Sequence, residues 1–246
     1  MLLLDVDNTI IPSFQAYEYA ISELERDWIQ KFGRRGSDFR ILYERSREVT
    51  RHTLKDHPSK RQRILYFKKM AEIQDTTLSR RNLSHILAME RRYFHHFLHF
   101  LRNFKKKYKS EYKQAFRILK KIQSWDSLVF ISNENLRTQL LKLKTVVPGD
   151  ISFQLVTSEE VGKEKPHPDI FQAAIERGNA LSSQPYCIIG DSMEDDILGG
   201  VRVGLSAIHQ TSIWGNPEYI EKAENGIFKT SNLITSLELF CQWRKL

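Results

Sequence analysis

Five short apolar runs, spaced so that a helix fits between neighbours in the second half of the chain, constrain the fold more than any other feature. They are Leu2-Leu3-Leu4, Leu128-Val129-Phe130-Ile131, and the stretches Ile151–Val156, Tyr186–Ile189 and Leu205–Ile208. Helical periodicity fills the gaps, with Leu136, Leu140, Leu141 and Leu143 after the second run and Ile170 to Ile175 after the third. Ile197 to Val203 follows the fourth run, and Leu233 to Trp243 reads as a closing helix. Strands that alternate with helices join through right-handed crossovers into a parallel sheet, so the class expected is α/β.

One segment breaks the alternation. From about Ala16 to Phe104 the apolar spacing is helical throughout. Tyr19, Leu24, Trp28, Ile29 and Phe32 form one stripe, which Gly33 and Gly36 would end, and Ile64, Leu65, Phe67 and Met70 form another. A longer stripe runs through Leu83, Ile86, Leu87, Tyr93, Phe94, Phe97, Leu98 and Leu101. Because the first run must rejoin the sheet, residues 1–14 and 108–246 read as one core and residues 15–107 as a helical insert. Charge divides the same way: the insert holds 22 Lys and Arg against 11 Asp and Glu, the remainder 16 against 19, within a total of +8. The two units are expected to do different jobs.

Composition narrows the setting. At 246 residues and 41% hydrophobic content the chain can bury an ordinary core. No apolar run approaches the ~20 residues of a membrane span, and Asp5 interrupts the only apolar stretch at the N-terminus, which argues against a leader. Two cysteines, Cys187 and Cys241, make no disulfide framework, so a reducing cytoplasm is the expected location. His85, His95, His96 and His99 are expected to pack or face solvent, and the basic run Lys105-Lys106-Lys107 to be a solvated hinge, with nucleic acid not the favoured partner.

Chemistry concentrates where the runs end. Asp5-Val6-Asp7-Asn8-Thr9 follows the first run, Ser132-Asn133 the second, and Gly190-Asp191 through Asp195-Asp196 the fourth, with Lys165-Pro166 in a loop after the third. Each has a bland alternative. An isolated Asp-x-Asp-x-Thr reads equally as a turn, Ser132-Asn133 as a helix N-cap, and the acids after Gly190 as capping and dipole-favoured residues. The functional reading is that carboxylates at strand ends supply the oxygens a divalent cation prefers, while a hydroxyl, an amide and a fixed lysine hold phosphate oxygens. Two carboxylates side by side also divide naturally into an ionised partner and a proton carrier.

Taken together and in order, these signatures resemble the haloacid dehalogenase superfamily. The match comprises Leu-Leu-Leu-Asp-Val-Asp-Asn-Thr at 2–9, Phe-Ile-Ser-Asn at 130–133, Lys-Pro-His-Pro-Asp-Ile-Phe at 165–171 and Gly-Asp-Ser-Met-Glu-Asp-Asp-Ile at 190–197. Ser158 through Pro166 is similar to the branch of nucleotidases, phosphoglycolate phosphatases and N-acylneuraminate phosphate phosphatases. The resemblance implies a Rossmann-like parallel core with an α-helical cap inserted after the first motif. It implies that Asp5 attacks phosphorus and that Asp7 protonates the departing alcohol and then activates water. Mg²⁺ would be bound by Asp5, the main-chain carbonyl of Asp7 and Asp191, with Asp196, in preference to Asp195, in support. Ser132, Asn133 and Lys165 would hold phosphoryl oxygens. Asn8 stands where the commoner residue is Gly.

The expected activity is therefore Mg²⁺-dependent hydrolysis of a small phosphorylated metabolite, a nucleotide or sugar phosphate among the candidates, through an aspartyl-phosphate. A phosphomutase on the same core, and a nucleic-acid-binding or scaffold protein with an idle core, are the alternatives. The substrate and the oligomeric state are not written in the motifs.

Overall fold

The structure is a computed structural model that describes residues 1–32, 38–55, 57–74, 77–178, 186–215, 218–222 and 226–245. Gly33 and Gly36, read as ending the first insert helix, lie outside the described residues. In chain order the elements are β1 (Leu2–Asp5), α1 (Ser13–Phe32), α2 (Phe39–Thr53), a 3₁₀ turn (Pro58–Arg61), α3 (Arg63–Gln74), α4 (Arg80–Lys107) and α5 (Lys109–Gln123). Then come β2 (Leu128–Ser132), α6 (Leu136–Val146), β3 (Gln154–Thr157), α7 (Ser158–Val161), α8 (Pro168–Gly178) and β4 (Cys187–Gly190). A π-helical turn (Met193–Leu198), α9 (Gly199–Arg202), β5 (Ser206–Gln210), β6 (Ile220–Lys222), β7 (Phe228–Thr230) and α10 (Leu233–Arg244) complete the chain.

Among the described residues seven strands form one sheet in the order β3-β2-β1-β4-β5-β7-β6. All pairings are parallel except that of β6 with β7. β1 lies inside the sheet, in register with β2 (Asp5 opposite Ile131) and with β4 (Leu4 opposite Ile189). Leu2, Leu3 and Leu4 are fully buried because a central parallel strand is covered on both faces, which is why the run is continuous and does not alternate. Met1, Leu3, Val129, Ile131, Ile188, Ile170 and Phe171 belong to one continuous core cluster. After β1 the chain builds outward through β2 and β3, then crosses back to β4 on the other side. The order therefore reverses between β1 and β4, the place in an open α/β sheet where ligands bind beyond the carboxyl ends of the strands.

The chain divides into two compact units, Met1–Ser13 with Arg102–Leu246, and Phe14–Leu101. The second is helical, and aromatic rings make its core: Tyr43 lies edge-on to Tyr66 with centroids 6.0 Å apart, and Phe67 and Phe97 both pack on Tyr93. No helix among the described residues is long and apolar enough to cross a membrane.

Three departures from the sequence reading have physical causes. The third run begins its strand at Gln154, not Ile151, because pairing to β2 starts at Val129 opposite Gln154. β6 and β7 carry no apolar run: each is three residues long, β6 is exposed throughout, and the buried position of β7 is Thr230. α2 went unread since its buried stripe is Phe39, Tyr43, Ser46 and Thr50, half of it hydroxyls that bond back to Leu42 and Ser46 carbonyls, while Ile41 is 73% exposed.

Candidate active site

The carboxyl end of β1 delivers Asp5 into the crevice, and the loop beyond it curls tightly. Ile10 and Ile11 both donate their N–H groups to the Val6 carbonyl, and Asn8 adopts φ +62°. That left-handed conformation is open to Gly and tolerated by Asn, which accounts for Asn at this position. The curl returns Thr9, whose hydroxyl donates to Asp5 Oδ2 at 2.9 Å and also reaches Asp191 Oδ1 at 3.4 Å.

Asp5 is buried and pairs with the Lys165 ammonium through Oδ1, while the same ammonium donates to Asp196 Oδ1 at 2.5 Å. Asp196 is brought close by the π-helical turn after β4, its other oxygen accepting the Ser192 N–H at 3.0 Å. Gly190 makes room for it, since a Cβ there would sit 2.4 Å from the Asp196 carboxyl. One oxygen from each of Asp5, Asp191 and Asp196 lies within 4.8 Å of the other two. Three carboxylates thus share one lysine. Burial first, and then the Asp196 charge, push the Asp5 carboxyl well above the usual aspartate range and Asp191 up to about 6. Burial would depress the Lys165 ammonium, but Asp196 and Asp5 outweigh it and hold it charged. An oxygen-only donor set with surplus negative charge fits a hard divalent cation such as Mg²⁺.

A carboxyl whose pKa is raised by folding stabilises the fold while it is protonated. That stabilisation is complete below about pH 4 and disappears as pH climbs through the raised value. In chelator, Asp191→Asn is therefore expected to gain on the wild type by about 1–3 kcal/mol between pH 4 and 7. Thermal melts of the two proteins across that range check this; parallel curves would refute the placement of Asp191.

Asp7 stands in a different environment. Its Oδ1 accepts from Lys142 Nζ at 2.6 Å and from the Ser13 hydroxyl, and its Oδ2 from Ser132 Oγ at 3.0 Å and Gln139 Nε2 at 2.9 Å. Burial alone would raise its pKa, but the Lys142 charge and these hydrogen bonds hold the carboxyl well below the usual range. Asp5 and Asp7 are thus pushed in opposite directions, the arrangement that separates two carboxylates into different roles.

The other expected positions divide. Ser132, at the end of β2, is fully buried and its hydroxyl also accepts from Glu134 N at 3.0 Å. Asn133 is spent on the lysine loop, its side chain accepting from Lys165 N at 2.6 Å and donating to Lys165 O at 2.9 Å, so in this arrangement it aims Lys165 instead of offering its amide to a ligand. Asp195 is not in the three-carboxylate group. His96 pairs with Asp27 at 3.2 Å, and His99 stacks on Tyr19.

Thr9, Gln139 and Lys142 were not anticipated. Thr9 carried a signal, since it lies within the first motif. Gln139 and Lys142 carried none, because a polar residue beside a leucine stripe reads as solvent-facing, whereas here both are buried alongside Leu143.

A mostly parallel α/β sheet that gathers Asp5, Asp7, an acidic cluster and a lysine at its switch point is a core of the Rossmann-like kind. The chain belongs to the haloacid dehalogenase-like hydrolases, matching that family over residues 1–204. It is similar to the pyrimidine 5′-nucleotidase YjjG of Escherichia coli, 32% identical over 131 residues that make up 52% of this chain and 56% of that protein. The chain thus spans about half the length of that relative. The ribulose-1,5-bisphosphate 5-phosphatase of Halopiger xanaduensis is 27% identical over 84% of this chain and 82% of that protein. Among solved structures, a 2-haloacid dehalogenase from Pseudomonas syringae pv. Tomato aligns over 98% of both chains with a TM-score of 0.63 and 20% identity, a likeness of fold.

Proposed function

We propose that this chain is an Mg²⁺-dependent phosphatase acting on a small phosphorylated metabolite. The observation that carries the reading is Asp7, a second carboxylate held by its own set of donors beside Asp5. Displacing a halide needs no proton, whereas an alkoxide leaving a phosphate ester does. A dehalogenase has no use for a built Asp7. The similar nucleotidase and bisphosphate phosphatase support the same class of substrate.

The chemistry follows from the contacts. An Asp5 oxygen bonds to phosphorus as the ester P–O bond breaks, and the departing oxygen takes a proton from Asp7. In the second half a water oxygen bonds to phosphorus, Asp7 takes the water proton, and the P–Oδ bond to Asp5 breaks. The ionised Asp7 of this structure is the form the second half uses; the proton it passes on in the first half arrives with the substrate as its phosphate monoanion. Lys165 fixes Asp5 and offers positive charge to the phosphoryl group, and Ser132 holds Asp7 on the side of β2. Asp5, Asp191 and the Asp7 main-chain carbonyl, with Asp196, would hold Mg²⁺, which when bound spreads charge off the phosphoryl oxygens.

The helical unit Phe14–Leu101 is, in this reading, the cap that selects the substrate, and a cytoplasmic setting accords with Cys187 and Cys241 both being buried and free. The test is a panel of nucleotides, sugar phosphates and p-nitrophenyl phosphate with Mg²⁺, reading free phosphate. Release from at least one, lost with chelator, is expected. Transfer of phosphate back to sugar without release would select the mutase, and inactivity on the whole panel overturns the reading.

A further inference from the structure

We propose that Lys142 and Gln139 are positioning residues that hold the Asp7 carboxyl at the angle from which the leaving group is protonated. The inference rests on the phosphatase reading and adds to it two residues that lie outside the motifs.

The geometry begins with α6. Asn135 caps it by accepting the Thr138 N–H at 3.0 Å, and this start sets which side of the helix turns inward. Gln139 and Lys142, three residues apart, share that side. Lys142 is 2% exposed and Gln139 fully buried, while Leu140 between them is 54% exposed. Folding alone favours the reverse, since a buried lysine and a buried amide lose water that a leucine would not miss. Gln139 Oε1 has no hydrogen-bond partner among the described residues, a further penalty that a leucine would remove. Local stability therefore does not account for these side chains, and what their donors touch does.

Lys142 gives its ammonium to Asp7 Oδ1, and Gln139 gives its amide to Asp7 Oδ2 and to Ser132 Oγ at 2.6 Å. A carboxylate with donors on both oxygens cannot rotate about its own plane without breaking one of them. On its far side Lys142 approaches Glu134 Oε2 at 3.5 Å, and Glu134 is itself fixed by the Asn135 main-chain and side-chain N–H groups at 3.0 and 2.8 Å. The residues that cap α6 thus also brace the lysine that braces Asp7. Proton donation depends steeply on that alignment.

The test varies the leaving group and leaves the phosphate unchanged. Values of kcat/KM for p-nitrophenyl phosphate, whose phenolate leaves readily, and for phenyl phosphate, whose phenolate needs a proton, are measured with Mg²⁺ in wild type, Lys142→Met, Gln139→Leu and Lys142→Arg. The ratio of the first to the second is expected to rise roughly 10- to 100-fold in Lys142→Met and Gln139→Leu, with KM for p-nitrophenyl phosphate changed by no more than about threefold. Lys142→Arg should restore the wild-type ratio. A structural lesion slows both esters equally, so an unchanged ratio in the folded variants of an active enzyme overturns the inference. If Lys142→Met does not fold, Gln139→Leu, which strands no charge, decides by the same criterion. A wild type inactive on both esters would instead remove the phosphatase reading itself.

Discussion

Asp5→Asn is expected to abolish phosphate release, by on the order of 10⁴-fold or more, while leaving the fold intact. The amide keeps the volume of the carboxyl and one acceptor oxygen for the Thr9 hydroxyl, so packing at the end of β1 is unchanged. Lys165 retains Asp196 as its partner at 2.5 Å. Repulsion inside the group formed with Asp191 and Asp196 falls by one charge, so the midpoint of thermal unfolding is not expected to drop. The oxygen that would bond to phosphorus is lost, and no other carboxylate can replace it. Asp196 is turned to Lys165 and Ser192, and Asp7 is held by four donors of its own. Phosphate assays with Mg²⁺, paired with circular dichroism and a melt, separate the two effects. A folded variant as active as wild type would remove Asp5 from the chemistry.

Lys165→Met should show the other large effect, and there stability and activity fall together. Methionine fills most of the space but leaves Asp5, Asp196 and Asp191 close together without the ammonium they share. Removing one partner from a buried ion pair costs about 3–5 kcal/mol, more than the pair itself contributes, because the remaining charges stay buried. Raised carboxyls are the first to protonate on acidification, so the penalty should be largest at neutral pH. It should shrink as pH falls through about 6, the value to which Asp191 is pushed. Activity should fall as well, since Asp5 then keeps only the Thr9 hydroxyl of the two donors described and no ammonium offsets the phosphoryl charge from that side. Denaturant melts at pH 7 and pH 5 measure the first part. A penalty of the same size at both would indicate lost packing, not stranded charge.

Much of the fold was legible because buried parallel strands leave an unambiguous trace. Leu2 to Leu4, Leu128 to Ile131 and Tyr186 to Ile189 are apolar on every residue, since both faces of a central strand are covered. β6 and β7 left no such trace, because each is three residues long, β6 is exposed and the buried position of β7 is a threonine. α2 was hidden for a related reason, since Ser46 and Thr50 occupy buried positions where periodicity looks for carbon.

The site divides along the same line. Sequence alone singled out Asp5, Asp7, Lys165, Asp191 and Asp196 as candidates, because they follow buried runs in the order that resembles the haloacid dehalogenase superfamily. Only the tertiary structure decided how they are used. Asn133 turned to the Lys165 main chain, and α6 turned Gln139 and Lys142 inward beside Leu143 and Val146, with Leu140 outward. The physical reason is that a carboxylate's role depends on the donors around it, and the charged donors come from segments more than a hundred residues away in the chain, as Lys142 does for Asp7 and Lys165 for Asp5. Periodicity records what lies next to a residue along the chain, whereas charge balance depends on what lies next to it in space.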